Sequence, residues 1–187
     1  MRAATGRDAA TGGVLRPSRS APGFMSAWIG LGGNFAESEA LMRAALLLLD
    51  AHEKVTVLRQ SGVYRSPPWG AVDQPDFFNA VAELETSLPA GELLNELLDI
   101  ENRLGRDRRG LRWGPRSIDL DLLTYQDLIV QSERLELPHP RMHLRAFVLA
   151  PILELEPGFE IPGIGTAQQA LDRLDRHEVD AVQLVNL

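Results

Sequence analysis

The chain has 187 residues, 44% hydrophobic and 24% charged. That fits one domain of ordinary size, with or without a tail, and excludes a disordered polymer. There is no cysteine, so disulfides, zinc–thiolate sites, iron–sulfur clusters and thiol nucleophiles are excluded. A formal charge of −7 argues against wholesale nucleic-acid binding, and no apolar run approaches the ~20 residues that span a bilayer.

Residues 1–24 carry four arginines, one acid and many small residues, with no periodic apolar pattern. They are expected to form a disordered N-terminal extension. The segment lacks a secretory apolar core and bears a weak likeness to an organelle transit peptide; Met25 is an alternative start. The folded domain is expected over 25–187.

Residues 27–31 read as a short buried strand. Gly32-Gly33-Asn34 reads as a turn, and Asn34 or Ser38 can cap the helix expected over 37–51. A strand is expected over 55–64, an irregular proline-rich loop over 65–75, and a strand over 77–84. Residues 89–104 form a strong amphipathic helix pattern, with Gly105 placed to end it. After an arginine-rich segment, 117–125 read as a strand and 128–135 as a shorter, paired one. A helix is expected over 141–155, broken or kinked at Pro151. Irregular chain follows over 155–165, then a helix over 166–177 and a strand over 181–187. The order βαββαβ, followed by a C-terminal addition, gives an α+β sandwich with helices on one face of an antiparallel sheet.

Of the 19 basic residues only Lys54 is not arginine, and six arginines fall between Arg103 and Arg116. A basic segment in an acidic protein suits a local anionic ligand, and arginine suits bidentate phosphate contacts; a solvated loop is the plainer alternative. The segment leads into Ser117-Ile118-Asp119-Leu120-Asp121-Leu122. In a strand, Asp119 and Asp121 share one face while Ile118, Leu120 and Leu122 point into the core. Two like charges side by side resist ionisation without a cation. Such a pair suits Mg²⁺ completed by substrate phosphate oxygens, or forms a solvated pair at a sheet edge. Trp113 is either a stacking contact or a loop anchor.

No Walker A sequence is present, and the glycines at 30, 32 and 33 lack the spacing of a dinucleotide fingerprint. Pro67, Pro68 and Trp69 stiffen a loop near Phe77 and Asn79. Those two residues share a strand face, where a ring and an amide can stack on a planar heterocycle and bond its edge. His139 lies near Arg141 and Arg145, which suits a phosphate contact or a structural hydrogen bond.

Five segments together resemble a known family. They are Gly30-Leu31-Gly32-Gly33-Asn34, Tyr64-Arg65-Ser66-Pro67-Pro68-Trp69-Gly70, Asp73-Gln74-Pro75-Asp76-Phe77-Phe78-Asn79, Arg112-Trp113-Gly114-Pro115-Arg116-Ser117-Ile118-Asp119-Leu120-Asp121 and Leu137-Pro138-His139-Pro140-Arg141-Met142. From about residue 26 to 155 the chain resembles 6-hydroxymethyl-7,8-dihydropterin pyrophosphokinase, of folate biosynthesis. The resemblance implies a ferredoxin-like fold and a cytoplasmic, monomeric enzyme. It also implies transfer of the terminal pyrophosphate of ATP to the pterin hydroxymethyl oxygen, with release of AMP. It places two Mg²⁺ ions on Asp119 and Asp121, with Arg108 and Arg116 acting beside them in catalysis. It places the pterin on Ser66, Pro68, Phe77, Asn79 and Phe147, stacked between the two rings. It places ATP on Gln74, Glu101, Arg106, Arg108, Trp113, Arg116, Leu122, Arg134, His139 and Arg145. Nucleic acid and membrane are not expected partners.

Four positions depart from the family pattern: Phe77 for a frequent tyrosine, Trp69 for a smaller aliphatic residue, and Glu136 and Pro140 for a threonine and a tyrosine. The segment 105–114, rich in glycine and charge, is expected to be a lid that orders on ATP binding. A different Mg²⁺-dependent transferase, such as a nucleotidyltransferase, and a ligand-binding module without turnover are the alternatives.

Overall fold

The computed structural model describes residues 23–68, 74–106 and 116–185. The expected tail, apart from residues 23 and 24, lies outside the described residues, as do Trp69, Arg108, Trp113 and all of the expected lid except Gly105 and Arg106.

In chain order, β1 (Met25–Gly33) leads into α1 (Ser38–Asp50), β2 (Val55–Gln60), β3 (Tyr64–Ser66), β4 (Phe77–Thr86), α2 (Ala90–Arg103) and β5 (Asp119–Tyr125). The main sheet runs β10-β3-β4-β1-β5, where β10 is Gln183–Leu184, and β2 pairs with β4 beyond β3. All its pairings are antiparallel. Leu93, Leu97 and Ile100 recur at helical spacing on α2 and are fully buried. Each contributes roughly 1.5–3 kcal/mol relative to exposure. With Met42, Ala45 and Leu49 of α1 they cover one sheet face through Ile29, Leu31, Leu84, Leu120 and Leu122.

The expected strand over 55–64 is two strands along one edge of β4. β2 faces residues 82–86 of β4 and β3 faces 77–79. Between them the Ser61 amide donates to the Val81 carbonyl, and the Val81 amide donates to Ser61 Oγ. The Gly62 amide turns out to the Glu154 carboxylate at 3.0 Å. A partner distant in sequence thus breaks a ladder that local propensity would continue.

From Met142 onward the C-terminal addition covers the opposite face, whereas Leu135 and Leu137 pack on the first. Two short strands, β6 (Val130–Gln131) and β7 (Glu136–Leu137), pair with each other. The expected helix over 141–155 is a 3₁₀ turn, Met142–Leu144, followed by α3 (Ala146–Leu155). The break falls at Arg145, whose backbone is extended, whereas Pro151 is carried inside α3. The stretch expected to be irregular holds a small hairpin, β8 (Glu160–Ile161) with β9 (Gly165–Thr166). The expected last helix is two, α4 (Ala167–Leu171) and α5 (Arg176–Asp180); Thr166 starts the first with a capping box and Asp175 caps the second. Trp28, Val81 and Leu123 meet Leu149, Ile152 and Phe159 on this face, and Trp28 packs edge-on to Phe159 at 4.7 Å.

Candidate active site

The second face is left open beyond the start of α3. β1 presents Gly30 and Gly32 there, opposite Asp121 and Asp119 of β5, and Gly32 is also opposite Asn79 of β4. The floor between the aspartates and the amide therefore has no side chain. A Cβ on Gly32 would come within 3.3 Å of Asn79 Oδ1 and 4.0 Å of Asp119 Cβ. These glycines lie within the strand, which runs on to Gly33, not in the turn expected from 32. The resulting cleft holds about 310 Å³.

At one end Ser66, Phe77 and Asn79 line the cleft, with Phe147 from α3. Asn79 Nδ2 donates to the buried Ser66 Oγ at 3.0 Å, which fixes the amide plane. At the other end are Arg106, Arg116, Asp119, Asp121, His139, Arg141 and Arg145. Gln74 also lines the cleft.

Arg106 arrives through the end of α2. Gly105 has a φ of +81°, its amide donates to the Asn102 carbonyl, and the Arg106 amide donates to the Glu101 carbonyl. This Schellman arrangement folds the chain back over the helix. Arg106 then pairs with Glu101 and lies 2.6 Å from Asp119 Oδ1. Arg116 holds Asp119 Oδ2 at 2.5 Å. Glu101 is fully buried and accepts the Leu120 amide at 2.8 Å, so it braces both the arginine and the aspartate strand.

Asp121 is less well neutralised. Arg145 lies 3.9 Å and His139 4.0 Å from its Oδ2. Desolvation in the cleft, then the Asp119 charge, push it up to about 7, with Arg145 opposing. Burial and the charges of Arg145 and Arg141 bring His139 down to about 4, so its imidazole is neutral at pH 7. Its Nδ1 accepts the Arg141 amide at 3.2 Å, which leaves the proton on Nε2, toward Asp121.

The sequence profile of the family described as 7,8-dihydro-6-hydroxymethylpterin-pyrophosphokinase (HPPK) matches residues 28–157. A Methylorubrum extorquens protein named 2-amino-4-hydroxy-6-hydroxymethyldihydropteridine pyrophosphokinase is 42% identical, over 84% of this chain and 98% of its own. A Bacillus subtilis protein of the same name is 46% identical, over 69% of this chain and 77% of its own. The chain belongs to the HPPK family.

Among solved structures, a Plasmodium falciparum HPPK-DHPS superposes with a TM-score of 0.68 at 13% identity, covering 88% of this chain. This chain spans about half of that one, 49%. The likeness shows the fold, the ferredoxin-like α+β arrangement of HPPK domains.

Within that fold the cleft brings together most of the residues expected from the sequence: Ser66, Gln74, Phe77, Asn79, Arg106, Arg116, Asp119, Asp121, His139, Arg145 and Phe147. Four described residues stand elsewhere. Glu101 lies beneath the cleft, as above. Leu122 has its side chain in the core against α1 and α2, which leaves only its backbone for a nucleotide. Arg134 bonds Asn95 on the outer surface of α2 at 2.9 Å. Pro68 is one residue beyond Pro67, which does line the cleft. Sequence reasoning missed Pro67, Leu123 and Val148 as lining residues, and read Gly32 as turn. A glycine at alternate positions of a strand, in register with the aspartates, was the available signal.

Proposed function

We propose that the cleft transfers the pyrophosphoryl group of ATP to 6-hydroxymethyl-7,8-dihydropterin, with Mg²⁺ on Asp119 and Asp121. The observation that carries this reading is the placement of the Asp119–Asp121 pair and the Phe77–Asn79 pair at opposite ends of one glycine floor. A flat ring fits the second pair and a phosphate chain the first. Family membership supports the chemistry.

The donor set suits Mg²⁺. Two carboxylates share one strand face, and the second is held toward its neutral form by desolvation and then by the charge of the first. A cation between them would relieve that repulsion. Among the described residues no cluster of three or more acidic or histidine side chains could hold a metal. The remaining ligands would come from phosphate oxygens and water, as is common for Mg²⁺. A bound cation would neutralise phosphate charge and align the attacking and leaving oxygens.

The protein's own part is positional. Asn79, set by Ser66, presents its amide to the edge of the pterin, and Phe77 and Phe147 present ring faces. The hydroxymethyl oxygen then faces the β-phosphorus. The new bond is O–Pβ; the bonds lost are the hydroxyl O–H, whose proton passes to water, and that between Pβ and the oxygen bridging to Pα, which leaves on AMP. Arg106 and Arg116, now paired with Asp119, would turn to phosphate once a cation takes their place. Arg145 faces the same charge from the extended residue just before α3. The neutral His139 donates from Nε2. With no strong base beside the hydroxyl end of the cleft among the described residues, alignment and charge stabilisation carry the rate enhancement.

The test is to mix the protein with Mg²⁺, ATP and the pterin and follow nucleotide products. AMP formed only when the pterin is present, and abolished by EDTA, supports the proposal. Release of free pyrophosphate would instead indicate nucleotidyl transfer, and no turnover a binding module.

A further inference from the structure

We infer that Asn34 is a positioning residue that latches the two halves of the cleft to each other. It follows β1, at the head of the β1–α1 loop, and its own side chain does not line the cleft. It is 2% exposed, yet it joins two segments distant in sequence. Its Nδ2 donates to Gln74 Oε1 at 3.1 Å and to the Pro75 carbonyl at 3.4 Å. Its Oδ1 accepts the Arg116 amide at 2.8 Å, and its own amide donates to the Arg116 carbonyl at 3.1 Å.

The partners fix which way the amide points. A backbone N–H can only donate and a carbonyl only accept, so oxygen must face Arg116 and nitrogen must face Pro75. No other side chain of this size offers a donor and an acceptor in that fork. Aspartate lacks the donor and leucine lacks both. Gln74 and Arg116 both line the cleft. One precedes Phe77 and Asn79, and the other precedes Asp119. A single buried amide therefore sets the aromatic end in register with the charged end. A displacement of about 1 Å between reacting groups can cost about 100-fold in rate, so this spacing bears directly on alignment.

The kinetic part of this inference rests on the proposed transfer; the structural part does not. Asn34→Asp keeps the acceptor for Arg116 and loses the donor, whereas Asn34→Ala loses both. Hydrogen exchange on the full chain, without substrate, separates them. In Asn34→Asp the amides of Asp76 and Phe77 should exchange about tenfold faster while that of Arg116 stays protected. In Asn34→Ala both segments should loosen.

With substrates, Asn34→Asp should raise KM for the pterin about tenfold and leave KM for ATP within about twofold. Asn34→Ala should lower kcat about tenfold or more as well. A merely structural asparagine would lower the melting temperature without dividing the two KM values in this way. Unchanged exchange at Asp76 and Phe77 in Asn34→Asp, or unchanged pterin KM in a folded variant, would overturn the latch. Should the unaltered protein fail to turn over, the transfer reading falls, and exchange alone still decides the role of Asn34.

Discussion

Arg106 Nη1 lies 2.6 Å from Asp119 Oδ1, on a carboxylate whose other oxygen is held by Arg116. Asp121, one pleat along, has Arg145 at 3.9 Å and the neutral His139 at 4.0 Å. The two aspartates of the motif are therefore unequal: the first is neutralised by two arginines, the second only partly by Arg145.

That inequality divides the effects of removing each charge. Asp119→Asn and Asp121→Asn should each lower turnover by at least about 100-fold, the scale of losing one strong charge contact in a transition state. Only Asp119→Asn should also lower thermal stability, because it takes one of two carboxylate partners from Arg106 and frees Arg116. Initial rates of AMP formation and melting curves on both variants check this. Near-normal rates in either folded variant would remove that carboxylate from the mechanism.

The state of Asp121 should be visible in the pH dependence of stability. Its folded pKa, about 7, lies above the ordinary carboxylate value. Between about pH 4 and 7 the folded state thus binds more protons than the unfolded state, and stability falls as pH rises through that window. Asp121→Asn removes the effect. The variant should be more stable than the unaltered protein at pH 8 and converge with it toward pH 4. Because water reaches 40% of the side chain, the difference should be small. Melting curves at both pH values, without divalent cations, provide the measurement; equal gaps at the two pH values would contradict it.

Gly105 ends α2 with a positive φ that side chains disfavour. Gly105→Ala should cost about 1 kcal/mol, since space is not the obstacle. It should also raise KM for ATP, because the turn delivers Arg106. Urea midpoints together with ATP kinetics check both effects. A stability loss with ATP kinetics untouched would show that Arg106 reaches its place without the turn.

The ring end should behave independently. Phe77→Leu keeps apolar bulk but loses the stacking face. Aromatic pairs contribute about 0.5–1.5 kcal/mol beyond area burial, so pterin affinity should fall by roughly twofold to tenfold. Affinity for a non-hydrolysable ATP analogue should not change. Calorimetric titration of each ligand separates the two.

Much of this was legible in the sequence where a period carried it. The two-residue alternation around Asp119 and Asp121 predicts their shared face, and the apolar spacing of 93, 97 and 100 predicts the buried side of α2. Other features depended on partners far along the chain. Ser61 and Gly62 interrupt a β-rich run because Val81 and Glu154 take their backbone groups. Arg145 rather than Pro151 interrupts the expected helix, as its backbone is extended beside the cleft. The arginine cluster was visible by composition, but the pairing of two of its members with Asp119 was not. Asn34 looked like a turn residue or helix cap, and α1 has no side-chain cap from it; its partners are Gln74, Pro75 and Arg116.

The most direct measurement of the central claim is a crystal structure of the protein with Mn²⁺, a non-hydrolysable ATP analogue and the pterin, read by anomalous scattering. The account predicts metal peaks against Asp119 and Asp121, with Arg106 and Arg116 turned from Asp119 to phosphate and the pterin between Phe77 and Phe147. Metal bound elsewhere, with both arginines still on Asp119 and the nucleotide outside the cleft, would contradict it.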